Sequence, residues 1–310
     1  MERKNAIITG GAGFIGSHLS ERLIKEGFNK IYLVDNLIRS NSLRNIPKNS
    51  NIEFVYGEVS TFDFSVFKDI THFFHLAATR INRCAQYNRE GHEFITNSGF
   101  NVVDYCYKNH IKLFFASTAS VYNKPERQPI QENNPCVPHT IYGAGKYYTE
   151  NLIRSYDNMY GLNYTINRFF SVYGVRMDNA GAYTEVIFNW LNNIKNGNNH
   201  ITVFGDPDEK ILDLVYVDDV VDAIITSTFN SNKEVYNVST QNGVTLTELI
   251  KTIEKVTKTK LIVEVKPENR TDIEKKRVGD TFKLRELGWK NSISLENGIR
   301  KTYEWITNLN

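Results

Sequence analysis

Three residues of the sequence have the types and the spacing of a proton-transfer site. Tyr142 and Lys146 in YGAGK stand four residues apart, which places them on one face of a helix. A free tyrosine has a pKa of about 10, too high for a base at neutral pH, but a neighbouring ammonium favours the phenolate. Tyr142 can then take a proton from a substrate hydroxyl, and the hydroxyl of Thr118, in FASTASVY, can orient that oxygen. The alternatives are packing of an amphipathic helix and solvation of a turn by small hydroxyls.

A glycine loop near the start of the chain indicates a phosphate-binding site. The segment IITGGAGFIGSHL follows an apolar strand, opens a helical pattern, and matches both GxGxxG and GxxGxxG. Glycines let the backbone approach a pyrophosphate, and the N–H groups of a helix N-terminus attract it. The alternative is a tight strand–helix turn that binds no ligand. The residues predicted to bind a dinucleotide here are Gly10, Gly13, Phe14, Ile15 and Gly16.

An acid follows this loop at the spacing that a dinucleotide site requires. Asp35 ends the strand KIYLVD, and its carboxylate can accept both adenosine ribose hydroxyls and repel a 2′-phosphate, so we predict NAD rather than NADP. Asn36 is a predicted second contact, and Glu58 and Val59, in GEV after the next strand, are predicted at the adenine edge. A solvated strand end is the alternative for Glu58. NAD can accept a hydride from the carbon whose hydroxyl Tyr142 deprotonates.

The elements that must position these residues alternate along the first half of the chain. Strands are predicted at NAIITG, KIYLVD, IEFVYG, THFFHLAA, KLFFAS and YTINRFF, with helical patterns such as GSHLSERLIKEG between them. This alternation predicts an α/β fold with a doubly wound parallel sheet of the Rossmann type. The pattern changes after about residue 174, which predicts a smaller C-terminal α/β lobe. We assign residues 1–173 and 214–240 to an NAD-binding domain, and residues 174–213 and 241–310 to a substrate-binding lobe.

Composition excludes several other classes of protein. The 310 residues are 41% hydrophobic, enough for one large core or two smaller ones, and the net charge of +2 favours neither nucleic acid nor an anionic membrane as partner. The 3 cysteines lack metal-ligand spacing and do not suggest a disulfide framework, so we predict no metal. The chain enters its first strand at once, and no run approaches the roughly 20 apolar residues of a membrane helix. We therefore expect a cytoplasmic protein.

The motifs taken together resemble one known family. TGGAGFIGSHL, VDN, HLAA, STASVY, YGAGK, RFFSVYG, VYVDDVVDA and LGW with SLENGI are similar to motifs of the extended short-chain dehydrogenase/reductases, the NAD-dependent nucleotide-sugar epimerase/dehydratase family. The resemblance covers nearly the whole chain and implies that Thr118, Tyr142 and Lys146 are catalytic. It implies a substrate site between the lobes and a homodimer formed through a four-helix interface, by the helices around residues 94–109 and 142–160. Further cofactor contacts implied by the resemblance are Leu76, Ala77, Ala78, Asn97 and Phe169, with Phe170 beside it.

The two residues after Thr118 separate the subfamilies. The 4,6-dehydratases of this family have an Asp-Glu pair there, which handles elimination, whereas this chain has Ala119 and Ser120. The uronate decarboxylases usually have Glu where Ser120 stands. A small pair of this kind is similar to the 4-epimerases, which oxidise C4, let the ketone turn over, and return the hydride to its other face.

Two departures from the family pattern concern the substrate. Ser171 stands where the family usually has Asn, and Leu212 stands where it usually has an arginine that grips a phosphate. Either another cation neutralises the diphosphate, or the substrate differs. For each arginine considered for this role, the alternative is that it is an ordinary surface residue that does not contact the substrate. The predicted substrate-binding residues are Arg80 and Arg83, in the loop after HLAA, together with Ser171, Arg176, Phe204, Arg270 and Arg277.

Three functions remain open from the sequence. The leading hypothesis is a nucleotide-sugar 4-epimerase that holds NAD throughout turnover. A 4-dehydrogenase or ketoreductase with a net redox change would use the same three residues. A non-catalytic NAD-binding sensor on this fold has no need for Thr118, Tyr142 and Lys146 together.

Overall fold

The computed structural model of the protein describes residues 4–38, 42–79, 81–122, 127–177, 185–268 and 276–309. The strands in these ranges are β1 (Asn5–Thr9), β2 (Lys30–Asp35), β3 (Ile52–Tyr56), β4 (His72–His75), β5 (Lys112–Thr118), β6 (Tyr164–Phe169), β7 (Ser171–Tyr173), β8 (His200–Phe204), β9 (Ile211–Leu212), β10 (Leu214–Tyr216), β11 (Glu234–Val238), β12 (Val244–Thr245), β13 (Ile262–Lys266) and β14 (Lys276–Arg277). The helices are α1 (Phe14–Lys25), α2 (Ile81–Gln86), α3 (Asn88–Lys108), α4 (Ile141–Tyr160), α5 (Glu185–Lys195), α6 (Val217–Asn230), α7 (Leu246–Thr257), α8 (Phe282–Arg285) and α9 (Leu295–Thr307).

The chain divides into two compact units. The first comprises residues 1–123, 135–168 and 221–236, and the second comprises residues 124–134, 169–220 and 237–310. From the sequence we assigned one lobe to the cofactor and the other to the substrate. That assignment of binding roles stays a prediction.

A sheet of seven strands organises the first unit. Its order is β11-β6-β5-β4-β1-β2-β3, and β1 pairs in parallel with both β2 and β4. The pairs β2–β3 and β4–β5 are parallel as well. The strand order therefore reverses between β1 and β4, and the carboxyl ends on either side of that point are where doubly wound sheets bind their ligands. The predicted α/β fold with a doubly wound sheet is confirmed.

The central strands are apolar because both of their faces are covered. Ile7 and Ile8 are adjacent in β1 and point to opposite faces, and both are fully buried. One face packs into a core with α3 and α4, in which Ile7, Phe73 and Leu113 meet Val102 and Ile153. Continuous apolar runs are therefore the correct sequence signature for these strands.

Glycines allow α3 and α4 to pack closely against each other. A Cβ atom on Gly99 would lie 2.6 Å from Oγ1 of Thr149, and one on Gly145 would lie 3.0 Å from Cγ2 of Ile95. The side chain of Thr140 caps α4 by accepting a hydrogen bond from the N–H of Gly143 at 3.0 Å. Helix α4 ends at Gly161, whose φ of 75° suits a residue without a side chain.

Three small sheets lie in the described part of the second unit. Strands β7 and β10 form a parallel pair, and β8 and β13 form another. Strand β9 lies in a sheet of three strands, paired on one side with β12 and on the other with β14. Helix α7 begins with a capping box, in which Thr245 and Glu248 each satisfy the other's backbone N–H.

Candidate active site

The glycine loop joins the carboxyl ends of three strands. The N–H of Gly10 donates to the carbonyl of Val34 at 2.9 Å, which ties the end of β1 to β2. Gly10 has a φ of +68°, and a Cβ atom there would lie 2.9 Å from the backbone nitrogen of Ala77, just beyond β4. Both the conformation and the close approach require glycine. The loop that opens α1 therefore lies at the point where the strand order reverses.

The turn into α1 is too tight for side chains. A Cβ atom on Gly16 would lie 2.3 Å from the carbonyl oxygen of Gly10 and 2.8 Å from Cα of Gly11. Gly13 caps α1 without a side-chain hydrogen bond, so no side chain at the cap covers the N–H groups of Phe14, Ile15 and Gly16. Such N–H groups and the positive end of the helix suit a pyrophosphate. This backbone cradle fits the phosphates of a dinucleotide.

Asp35 lies beside the glycine loop. Its Oδ2 atom accepts a hydrogen bond from the N–H of Ala12 at 3.2 Å, and its Oδ1 atom accepts one from Leu37 at 2.9 Å. The side-chain amide of Asn36 donates to Oε2 of Glu58 at 2.8 Å. The structure thus brings together the acids at the ends of β2 and β3, where the adenosine half of NAD was predicted. A carboxylate at Asp35 fits NAD and disfavours a 2′-phosphate.

The residues that follow β4 are fixed by a buried pair of side chains that sequence reasoning missed. The hydroxyl of Thr9 lies 2.7 Å from Nδ1 of His75, and the backbone N–H of Ala77 donates to the same hydroxyl at 3.4 Å. The N–H of Leu76 donates to the carbonyl of Thr9 at 3.2 Å. Burial, and then the charge of Lys146, hold the pKa of His75 well below its usual range. Leu76 and Ala77 therefore lie beside the glycine loop, with Ala78 next in the chain.

Asn97 lies on an exposed part of α3, beside the loop that follows β3. It lines a cavity of about 560 Å³ together with Ser60 and Asn101. The side chain of Asn101 donates to the carbonyl of Val59 at 2.9 Å and so fixes that loop to the helix. The predicted contact of Asn97 with the cofactor stays a prediction.

The catalytic candidates lie on neighbouring elements of the first unit. Thr118 ends β5 and is 9% exposed, and its Oγ1 atom accepts a hydrogen bond from the N–H of Ser120 at 3.1 Å. The amino terminus of α4 lies against this turn, because a Cβ atom on Gly143 would be 2.3 Å from the carbonyl oxygen of Ser120. Tyr142, in the first turn of α4, is therefore beside the backbone that carries Thr118.

Lys146 is buried one helical turn further along α4. Its Nζ atom donates to the carbonyl of Ala116 at 2.8 Å and lies 4.8 Å from the centre of the Phe115 ring. Burial lowers the pKa of Lys146 to about 7, although the charges of Cys84 and Glu150 raise it. The amine can therefore gain or lose its proton near neutral pH, which suits a group that tunes a neighbouring phenol.

The second unit holds the other predicted substrate residues. Ser171 begins β7, and its N–H donates to the carbonyl of Asp213 at 3.1 Å. Arg277 in β14 is the direct partner of Leu212 in the parallel ladder with β9. A cation therefore stands in the strand next to the position where the expected arginine is absent. The other described residues of this set are Arg176, which has a φ of 67°, and Phe204, which is 44% exposed. Phe169 and Phe170, predicted beside the cofactor, are both buried.

Arg83 lies in a helix and not in the loop that we expected after β4. Arg83 lies in α2, where its guanidinium donates to Oε1 of Glu90 at 2.8 Å and lies 5.7 Å from the centre of the Tyr87 ring. Its side chain is 43% exposed. These contacts favour the surface alternative for Arg83. Arg80 and Arg270 lie outside the described residues.

Comparisons with known proteins agree with this geometry. The profile of the NAD dependent epimerase/dehydratase family matches residues 6–239. A putative UDP-glucose 4-epimerase of Methanocaldococcus jannaschii is 32% identical over 98% of this chain and 99% of that protein. The chain belongs to this family.

Solved structures of relatives have the same fold. The UDP-glucose 4-epimerase of Thermotoga maritima, solved with UDP-glucose, has a TM-score of 0.89 and 30% identity over 97% of this chain and 98% of that one. The UDP-glucose 4-epimerase of Thermus thermophilus, solved with NAD, has a TM-score of 0.88 and 28% identity over 98% of this chain and 99% of that one. As a member of the epimerase/dehydratase family, the chain is an NAD-dependent enzyme. Among the described helices, none combines the length and the apolarity that crossing a membrane requires.

Proposed function

We propose that the protein is a nucleotide-sugar 4-epimerase that keeps NAD bound throughout turnover. The observation that carries the proposal is the turn after β5, which follows Thr118 with Ala119 and Ser120. Ala119 is buried, and the backbone N–H of Ser120 donates to Thr118. Neither side chain is the carboxylic acid or carboxylate that elimination or decarboxylation needs. The site has one base and one orienting hydroxyl, which is all that oxidation and re-reduction at a single carbon require.

Each proposed role follows from the position of the residue. Tyr142 takes the proton from the C4 hydroxyl of the sugar and later returns it to the same oxygen. The hydroxyl of Thr118 hydrogen-bonds that oxygen and holds it towards Tyr142. Lys146, buried in the second turn of α4, stabilises the phenolate when its amine is protonated and would hydrogen-bond the nicotinamide ribose of bound NAD. Bound NAD supplies the acceptor, and then the donor, of the hydride at C4.

The other predicted contacts complete the cofactor site. The backbone of Gly10, Gly13, Phe14, Ile15 and Gly16 would hold the pyrophosphate, and Asp35 with Asn36 would hold the adenosine ribose. The proposal is supported by the glycine loop, whose backbone packs too closely at Gly10 and Gly16 to admit a Cβ atom. Glu58, Val59, Leu76, Ala77, Ala78, Asn97 and Phe169 would form the walls of this site.

Arg277 is the best-placed replacement for the missing phosphate ligand. The position beside it in the ladder, Leu212, is where the family pattern has its arginine. We therefore propose that the substrate carries a diphosphate and that Arg277 binds it, with Ser171, Arg176 and Phe204 as further contacts. Arg80 and Arg270 stay candidates from the sequence.

Product analysis tests the function. The protein is incubated in D₂O with UDP-, GDP- and CDP-sugars, products are followed by NMR, and reduced nicotinamide is followed by its absorbance. We expect the C4 epimer without deuterium at C4 and without net accumulation of reduced cofactor, because the hydride returns from the cofactor and not from solvent. A 4-keto product with an equal amount of reduced NAD would instead establish a dehydrogenase. Binding of NAD without turnover of any of these sugars would establish a sensor.

We also propose that two copies associate through α3 and α4. Phe100 and Tyr148, on these helices, are 49% and 44% exposed and line the same surface cavity, and adjoining exposed apolar side chains of this kind favour contact with a partner. Sedimentation of the wild-type protein and of a variant with Phe100→Glu tests this: we expect a dimer and a monomer, respectively. A monomeric wild type at micromolar concentration would contradict the proposal. The cytoplasmic location stays a prediction from the sequence.

A further inference from the structure

A buried carboxylate outside the proposed catalytic trio joins three elements of the first unit. Glu150 of α4 is fully buried and accepts a hydrogen bond from the hydroxyl of Ser117, in β5, at 2.5 Å. Arg168 of β6 donates to both of its oxygens, from Nε at 2.9 Å and from Nη2 at 2.6 Å. Arg154, on the next turn of α4, donates to Oε2 at 3.1 Å. The carboxylate is thus held from two strands and from its own helix.

These contacts hold both ends of the turn that carries Thr118. Ser117 immediately precedes Thr118, and Tyr122 closes the turn at its other end. The phenol of Tyr122 accepts a hydrogen bond from Nη1 of Arg168 at 2.8 Å, and the guanidinium lies 4.8 Å from the centre of its ring. One guanidinium therefore reaches one end of the turn through Glu150 and the other end directly.

The same carboxylate lies on the helix face that carries the proposed base. Tyr142, Lys146 and Glu150 follow one another at intervals of four residues, so they form one stripe of α4. Lys146 binds the carbonyl of Ala116, and Glu150 binds the side chain of Ser117, which is the next residue of β5. Two successive turns of the helix are therefore attached to two successive residues of the strand. These contacts fix how far α4 can slide along β5.

Stability alone is a poor explanation for this arrangement. A buried ion pair is often no more stabilising than apolar residues of the same volume, because both charges lose their hydration. A bidentate pair does fix direction and distance, which apolar contacts do not. Glu150 lies one helical turn from Lys146, and its partner Ser117 immediately precedes Thr118. Proton transfer depends on the direction and distance between groups at this place.

We propose that Glu150 and Arg168 are positioning residues, which hold the turn from Ser117 to Tyr122 against α4 so that Thr118 and Tyr142 face the same substrate oxygen. This role rests on the proposed function of those two residues. Neither Glu150 nor Arg168 is proposed to touch the substrate or the cofactor.

Two conservative variants test the role while leaving the ion pair in place. Ser117→Ala removes the hydrogen bond at the start of the turn, and Tyr122→Phe removes the one at its end. Ser227→Ala is the matched control, since Ser227 is a buried serine that donates only within its own helix, to the carbonyl of Ile224 at 3.3 Å. Thermal unfolding of all three variants verifies that they fold.

Two measurements separate positioning from a merely structural role. In hydrogen–deuterium exchange, we expect faster exchange of the peptide covering residues 117–122 in Ser117→Ala and Tyr122→Phe, and no change there in Ser227→Ala. In turnover of a nucleotide sugar, we expect kcat to fall about 10- to 100-fold in both test variants while KM changes less than about twofold. The control should keep both kinetic constants.

Each outcome decides the matter. Unchanged exchange in both test variants would show that the hydrogen bonds do not hold the turn, and the proposal would be wrong. Faster exchange with an unchanged kcat would show that the turn is held but that its position does not matter, which also overturns the proposal. If the wild-type protein turns over no nucleotide sugar, the proposed function fails, and the exchange measurement still decides whether Glu150 and Arg168 hold the turn.

Discussion

The edge of the seven-stranded sheet and the three-stranded sheet of β9, β12 and β14 differ in the kind of phosphate ligand that we propose for each. At the first edge the proposed ligands are backbone N–H groups, and the local geometry excludes side chains, as at Gly10 and Gly16. In the second sheet the proposed ligand is the side chain of Arg277, which pairs with Leu212, the position where the family pattern has its arginine.

The two kinds of phosphate ligand differ in how readily they can be replaced by residues at other positions. A backbone cradle cannot be moved freely, because strand order and close backbone packing set its geometry: a Cβ atom on Gly10 would lie 2.9 Å from the nitrogen of Ala77, and one on Gly16 would lie 2.3 Å from the carbonyl oxygen of Gly10. A guanidinium on a long side chain can reach the same phosphate from either of two adjacent strands. We therefore expect that substitutions of the loop glycines will weaken NAD binding. We also expect that the arginine that binds the diphosphate can be moved to the adjacent strand with little loss of binding.

The largest expected effect is at the proposed base. Tyr142→Phe removes the phenol, and loss of a general base typically lowers kcat by about 10²- to 10⁴-fold. The glycine loop is untouched, so NAD should stay bound. The check is turnover by NMR together with the cofactor content of the purified protein. Turnover near the wild-type rate would show that Tyr142 is not the base.

A pH prediction addresses the strand that carries His72 and His75. Burial, with smaller contributions from Lys112 and Lys4, lowers the pKa of His72 to about 4 from its usual 6.5. As the pH falls from 6.5 to 4, the unfolded chain therefore takes up this proton before the folded chain does, and stability is lost over that window. His72→Gln should reduce this loss by up to about 3 kcal/mol.

Urea unfolding at pH 7 and at pH 4.5 measures this difference. The exposed His200 provides the control through His200→Gln, which should lose stability as the wild type does. Equal loss in His72→Gln and wild type would show that His72 is protonated in the folded protein at the lower pH.

The proposed role of Arg277 is tested by removing this arginine and then placing one at position 212. Arg277→Ala should weaken binding of UDP or of the identified nucleotide sugar about 10- to 150-fold, because a charged hydrogen bond contributes about 1.5–3 kcal/mol. Adding Leu212→Arg to this variant should restore most of the affinity. Calorimetry measures both variants. Wild-type affinity in Arg277→Ala would leave Arg176, or the arginines outside the described residues, as the phosphate ligand.

The backbone cradle is tested by adding one methyl group. Gly16→Ala places a Cβ atom 2.3 Å from a carbonyl oxygen of the loop, so the backbone must move. Strain of this kind costs about 1–3 kcal/mol, and we expect a roughly 5- to 150-fold loss of NAD affinity. Gly161→Asn is the control, since a Cβ atom at this helix end meets nothing within 4 Å and asparagine tolerates its left-handed conformation. Unchanged NAD binding in Gly16→Ala would contradict the proposed cradle.

The smallest effect is expected at Arg83. Its guanidinium pairs with Glu90 on an exposed surface, and such pairs contribute about 0–1 kcal/mol. Arg83→Ala should therefore change substrate affinity and unfolding only slightly. A tenfold loss of substrate affinity, measured beside that of Arg277→Ala, would return Arg83 to the substrate site.

Local sequence signals were sufficient for the fold and for the glycine turn between β1 and α1. Apolar runs predict the strands because both faces of the sheet are covered, and the glycine spacing, with Asp35 after the next strand, predicts the cradle because that geometry is local. The pairing of Arg277 with Leu212 was not predictable, since it joins strands that are distant in sequence. The pKa of Lys146 was not predictable either, because it depends on burial by the whole fold. The role of Glu150 was missed because its only signal in the sequence is a spacing of four residues from Lys146, and pairs on surface helices have the same spacing.

The close contact between α3 and α4 has a mechanical consequence for the proposed base. The two helices are in close contact where Gly99 faces Thr149 and where Gly145 faces Ile95. A shift of one helix along the other would therefore bring larger side chains into steric clash. A shift of the α4 backbone at Tyr142 would therefore have to move α3 as well. In the proposed function, this coupling of the two helices restricts changes in the distance between the backbone that carries the base and the substrate oxygen.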